Sequence, residues 1–192
     1  MIATQVVGAL PCVSARVAGL EPVSHGGASA ADLVRQGIDP ASVADLIDPS
    51  TNVHPYGPPA SVAATLARVS LDRYPDANAA TMREAMAHQL GVAPEQVVAG
   101  NGSVELIYLL AQVYLDPADR ALVIGPTFGE YASAIRFCGA EAVEYWARGQ
   151  DGFRPDLEAI LALIRTWRPK LVSCCNPTIR SGKCWGRRQC AC

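Results

Sequence analysis

The sequence predicts an α/β fold: an incomplete, mainly parallel sheet with helices on both faces. Three observations carry that reading. Short apolar runs alternate with helical segments through the second half of the chain, the runs are apolar on both faces, and a fourth such run follows the last helical segment at once. With 192 residues, half of them hydrophobic, and a net charge of −2, the chain can bury a sizeable core.

Residues 1–24 read as an irregular N-terminal extension. Its apolar opening has no preceding basic residue and no A-x-A-like cleavage site, so no export signal is read there. A short helix is expected over Ala30–Gln36, ended by Gly37 and followed by Asp39-Pro40. The stretch DPSTNVHPYGPP, Asp48 to Pro59, holds four prolines and a glycine, and each proline fixes φ and lacks a donor, so it is an extended loop. Ser61 to Val69 follows with helical spacing of Val62, Leu66 and Val69. In RYPDANAATMREAMAHQLGV, Asp76 or Asn78 can cap a helix, Met82, Met86 and Leu90 line one face, and Gly91 ends it.

Three strand-helix alternations come next. Val97–Ala99 leads into Ser103–Leu115, Ala121–Gly125 into Phe128–Phe137, and Ala142–Trp146 into Pro155–Trp167. A fourth strand, Lys170–Cys175, follows at once. No internal repeat or low-complexity segment interrupts the pattern, and no apolar run reaches the roughly 18 residues a membrane span needs.

Composition excludes several function classes. Basic residues are scattered apart from Arg187 and Arg188, with no aromatic-basic interleaving, so no nucleic-acid partner is read. Between Pro22 and Lys170 the sole cysteine is Cys138, which fits a reducing, cytoplasmic setting.

In open α/β sheets ligands bind beyond the carboxyl ends of strands. That rule singles out AGNGSVE, GPTFGEY and CCNPT. In the first, Gly100 and Gly102 strip side chains from a turn that opens a helix, leaving the amides of Gly102, Ser103 and Val104 available to an anion such as phosphate. The same turn also serves as a plain tight connection, and it is neither a dinucleotide fingerprint nor a Walker loop. Phe128 or Tyr131 stands where it could stack on a flat ring, or simply fill the core.

The segments HGG (His25 to Gly27), STNVHPYGPP, RYPD, GNGSVELIY, GPTFGEY and CNP occur in an order and spacing that resembles the pyridoxal-phosphate-dependent aminotransferases of fold type I. The resemblance spans His25 to Pro177. It leans to the branch of threonine-phosphate decarboxylases and histidinol-phosphate aminotransferases. SHGG ahead of DPSTNVHPYG is more like the decarboxylases of cobalamin synthesis. The resemblance implies a partial cofactor domain over 76–177, preceded by an arm and small-domain segment over 25–75.

Carried over by position, it implies pyridoxal 5'-phosphate as cofactor, with Gly102 and Ser103 on its phosphate, Phe128 on its ring and Asn176 beside it. It implies that Tyr74 reaches the cofactor phosphate of a neighbouring subunit, which makes the enzyme a homodimer. Asn52 and His25 are implied to grip a small phosphorylated amino substrate. Each has a plain structural alternative: Tyr74 as a helix-flanking anchor, Asn52 in an Asx turn, His25 facing solvent.

The cofactor chemistry needs a lysine to hold the resting cofactor as a Schiff base and an acid at the ring nitrogen. The only lysines are Lys170 and Lys183, and neither occupies the family's position. Five of the seven cysteines, Cys174, Cys175, Cys184, Cys190 and Cys192, fall in the last nineteen residues. Where the family has NPNNPTG this chain has NPTIRSG; were Pro177 to Arg180 encoded CCA ACA ATC CGN, a one-base shift after Pro177 would read Asn-Asn-Pro, although no Ser181 codon lets that frame read threonine next. Residues 178–192 are therefore expected to be an aberrant tail of a C-terminally truncated or frameshifted chain that lacks catalytic residues and is inactive. No C-x-x-C pair is repeated, so no metal site is read, and a disulfide knot does not fit a reducing compartment. Two rival readings stay open: a non-catalytic remnant that keeps only a phosphate site, and a metal or redox module built on the tail cysteines.

Overall fold

The computed structural model describes residues 14, 16–21, 23, 26–27, 30–39, 41, 54, 56–178 and 180–182. His25, Asn52, Lys183 and the last three tail cysteines lie outside the described residues. The chain divides into two compact units, Ser24–Ala99 and a second made of Met1–Val23 with Gly100–Cys192.

In the unit Ser24–Ala99 the described helices are α1 (Ala30–Arg35), α2 (Ala60–Leu66) and α3 (Ala80–Leu90), followed by a 3-10 turn at Pro94–Gln96. Of the two expected caps, Asp76 does the work. Its carboxylate accepts from the Asn78 amide at 2.9 Å and from the Ala80 amide at 2.7 Å, which satisfies donors that a helix start otherwise leaves orphaned. Those bonds hold its carboxyl below the usual aspartate range. Gly91, at φ 69, ends α3 in the left-handed conformation expected there.

The Arg83 guanidinium donates to Pro94 O at 2.7 Å and Val97 O at 2.9 Å, strapping the 94–97 segment to α3. Ala87 is the buried residue of this helix. Met82, Met86 and Leu90, expected to line one face of the helix, are exposed, as are Val62, Leu66 and Val69.

A second correction concerns Val97–Ala99. Val97 is extended (φ −110, ψ 125), but no strand forms there, and Val98 is 70% exposed. Extended backbone becomes a strand only when a neighbour accepts its ladder bonds, and no neighbour exists among the described residues.

The other unit holds the sheet. Its elements run α4 (Ser103–Tyr114), β1 (Arg120–Gly125), α5 (Glu130–Phe137), β2 (Glu141–Trp146), α6 (Leu157–Trp167) and β3 (Leu171–Cys174). The three strands pair in the order β2-β1-β3, all parallel, with Val123 opposite Glu144 and Ser173. The expected strands and helices thus fall within two residues of their places, with three strands where four were anticipated.

Alternation along β1 builds the two cores. Ala121 and Val123 face a cluster with Ala111 of α4, Leu115 just beyond its end, and Ala132 and Ile135 of α5. Leu122 and Ile124 face Ile160 of α6. Helices therefore cover both faces, and burying a side chain such as Leu122 or Ile135 is worth about 1.5–3 kcal/mol. α6 begins where Asp156 accepts from the Glu158 and Ala159 amides at 3.0 and 3.2 Å.

Candidate functional site

The chain leaves β1 toward β2 on one side and returns to β3 on the other, so the carboxyl ends of β1 and β3 form the switch point where a parallel sheet opens a crevice. Two loops converge there. Thr178 Oγ1, in a residue only 8% exposed, donates to Pro126 O at 2.7 Å and ties the loop after β3 to the loop after β1. Pro126 and Pro177 both follow cis peptide bonds. Phe128 sits half-buried in the first loop and Asn176 opens the second.

Tyr131, in the first turn of α5, neighbours the Cys175 thiol, which donates to Pro177 O at 3.4 Å. Burial, followed by the neighbouring Cys175 and Cys174 thiols, pushes the Tyr131 phenol up to about 12. It is therefore a neutral group at any physiological pH. Phe128, Tyr131 and Asn176 are thus gathered at one edge, as the strand-end rule anticipates.

The start of α4 lies where the sequence places it. Gly102 is the cap residue, at φ 87 and ψ 173, and no side chain caps the helix. That positive φ is a glycine conformation, and a Cβ there would meet nothing within 4 Å, so the turn is open above Gly102. Gly100 is needed for a different reason: a Cβ there would lie 2.9 Å from both Glu105 Oε2 and Leu106 Cδ2.

One detail differs from expectation. The Gly102 amide turns back to Gly100 O at 2.9 Å, so the outward donors are the Ser103 and Val104 amides, which a helix leaves without an internal partner. The Glu105 carboxylate accepts from the Asn101 amide and, at 3.2 Å, from Asn101 Nδ2, holding the turn in shape.

Sequence reasoning missed a polar link between α4 and α5. The Tyr108 phenol lies 3.0 Å from Glu130 Oε2 and 3.1 Å from Ser133 Oγ. Only the placement of a carboxylate and a hydroxyl at Glu130 and Ser133, one helical turn apart, hints at it.

Lys170 is committed elsewhere. Its Nζ meets Asp119 Oδ2 at 2.7 Å and Asp116 Oδ2 at 3.4 Å at the amino end of β3. Six residues of extended chain, roughly 20 Å, separate it from Asn176. Tyr74, in the other unit, is fully exposed. Among the described residues no group of three His, Cys, Asp or Glu side chains could hold a metal, and no helix is long and apolar enough to cross a membrane.

Comparison with known proteins matches residues 44–189 to the family described as aminotransferase class I and II. A histidinol-phosphate aminotransferase of Moorella thermoacetica is 38% identical over 148 residues, covering 76% of this chain and 37% of that protein. A protein of Caldanaerobacter subterraneus that carries a provisional threonine-phosphate decarboxylase name is 34% identical over 114 residues, covering 59% and 30%. Among solved structures, histidinol-phosphate aminotransferase of Sinorhizobium meliloti in complex with pyridoxal-5'-phosphate superposes with a TM-score of 0.73 at 20% identity, covering 93% of this chain and 46% of that one. The chain spans well under half the length of the curated relatives it matches.

Proposed function

The chain belongs to the class I and II aminotransferases, and from that membership we propose that it carries the phosphate cradle and ring-facing loop of a pyridoxal-phosphate enzyme acting on a small phosphorylated amino substrate. The observation that carries this reading is the uncapped start of α4, with open space above Gly102 and two outward amides.

The residues present fit the cofactor. The Ser103 and Val104 amides, at the positive end of a twelve-residue helix, suit a phosphate, each charge-assisted bond contributing about 1.5–3 kcal/mol. Phe128 offers an aromatic face at the carboxyl end of β1, and Asn176 a polar side chain beyond β3. The exposed phenol of Tyr74 suits a role on a second copy of the chain, in keeping with a homodimer. When bound, the cofactor supplies an electron sink for charge released at the substrate Cα. The protein's own part is to orient it and to keep Tyr131 as an uncharged neighbour.

Lys170, the one lysine among the described residues, is not placed to anchor the cofactor. Lys170 is ion-paired at the far end of β3, and the family resemblance provides no counterpart for Lys183. On this reading the chain holds the cofactor reversibly, through the α4 amides and without a covalent anchor at Lys170.

Two substrates fall within the reading. The recurring name among the relatives, including the one that matches 76% of the chain, supports amino transfer on histidinol phosphate, and this shifts the preference to it. The SHGG motif ahead of the proline-rich loop and the 34% identical relative support decarboxylation of L-threonine phosphate as the second reading.

The test is a titration of the chain with pyridoxal phosphate, followed by tryptophan fluorescence quenching and by cofactor absorbance. Saturable binding that inorganic phosphate displaces is the expected result. A chain that shows no saturation, or whose binding ignores phosphate, removes the reading.

A further inference from the structure

We infer that Tyr108 and Glu130 are positioning residues that hold the anion-facing start of α4 in register with the loop bearing Phe128, so that one ligand spans both. The inference rests on the cofactor reading above and deepens it.

Tyr108 stands five residues after Ser103, about 7.5 Å along α4. Glu130 opens α5 two residues after Phe128. Their contact, Tyr108 Oη to Glu130 Oε2 at 3.0 Å, is thus a cross-link between the two elements that face the proposed ligand. The phenol has a single O–H, which it donates to the carboxylate, and the Ser133 hydroxyl lies 3.1 Å from the phenol oxygen.

Surroundings keep the link in this form. Glu130 is 7% exposed, and its place in the first turn of α5 sets its charge at the favourable end of the helix. Tyr108 packs edge-on against Phe137, ring centroids 5.7 Å apart. Burial raises the Tyr108 phenol above the ordinary tyrosine range, so it remains a donor. A bond to a buried carboxylate is stronger and more directional than apolar packing alone, so it fixes relative placement as well as proximity.

A ligand that touches one element gains nothing from that placement. A ligand that touches both gains much, because its second contact forms within an already aligned pair. Three probes separate these cases: inorganic phosphate for α4, pyridoxal for the loop, and pyridoxal phosphate for both.

In Tyr108→Phe, pyridoxal phosphate is expected to bind about tenfold more weakly, while phosphate and pyridoxal each stay within about twofold of the parent. Glu130→Gln keeps an acceptor and should restore most of the affinity, whereas Glu130→Ala should match Tyr108→Phe. Circular dichroism and thermal unfolding identify any variant that fails to fold, and Glu130→Gln against Glu130→Ala then decides alone.

Equal weakening of all three probes would reduce the link to a structural role and overturn the inference. So would unchanged binding of pyridoxal phosphate in both Tyr108→Phe and Glu130→Ala. Both results leave the cofactor reading standing, since the parent still binds. A parent chain that binds no pyridoxal phosphate sinks the two together.

Discussion

Lys170 Nζ lies 2.7 Å from Asp119 Oδ2 at the amino end of the sheet, opposite the edge where the strand-end loops gather. Treatment of the cofactor-loaded chain with borohydride should therefore leave no adduct on Lys170, read by peptide mass spectrometry. A reduced adduct there would mean that the strand end had moved.

The same pair sets a pH dependence with a defined sign. The Lys170 ammonium, and next the Asp116 amide, hold the Asp119 carboxyl below its ordinary value, so its contribution exists above the unfolded carboxylate range and fades as pH falls through the folded value. Asp119 raises Lys170, whose contribution is complete below the unfolded lysine value and fades as pH rises through the folded one. Both side chains are solvent-accessible, so the effect is small. In Lys170→Met the melting temperature should change less with pH at both the acid and the alkaline limb than in the parent.

Asp156 caps α6 with two backbone bonds. Asp156→Ala should cost about 0.5–2 kcal/mol in denaturant unfolding, and Asp156→Ser should recover most of it. A neutral Asp156→Ala would show that α6 is held by packing on Leu122 and Ile124 alone.

Leu122 and Ile135 lie on opposite faces of the sheet. Each change to Ala should cost about 2–5 kcal/mol, and the double variant should sum to within about 0.5 kcal/mol, because the two sites share no cavity. Strong coupling between them in a double-mutant cycle would contradict two separate helix layers.

Gly102→Ala tests the turn itself. Open space surrounds the position, so the whole effect is backbone strain at φ 87 and ψ 173, about 1–3 kcal/mol. Phosphate affinity should fall while the α6 and sheet core keep their unfolding profile. An alanine variant that binds phosphate as well as the parent would show that the positive φ is dispensable.

Much of the local structure was legible because helix and strand signals are short-range. The GNG turn ahead of SVELIYLL placed the start of α4 at Ser103, and the runs ALVIG and AVEYW marked β1 and β2 to within one residue. Contacts between distant residues were not legible. Thr178 meets Pro126 across 52 positions and Tyr108 meets Glu130 across 22, and no local pattern announces either. Met82, Met86 and Leu90 carried a sound helical period and still emerged exposed, since periodicity names a face without naming what covers it.

By itself the amino-acid order determined which segments are helical or extended, the glycine turn that opens α4, and the family to which the motifs belong, since these follow from backbone sterics, hydrophobic period and residue identity at fixed spacing. Tertiary structure alone decided that Val97–Ala99 finds no strand partner among the described residues, that Tyr108 meets Glu130 between α4 and α5, and that Lys170 pairs with Asp119. Each of those depends on which groups meet across the fold, where a hydrogen bond or ion pair forms between partners that sequence spacing cannot bring together on paper.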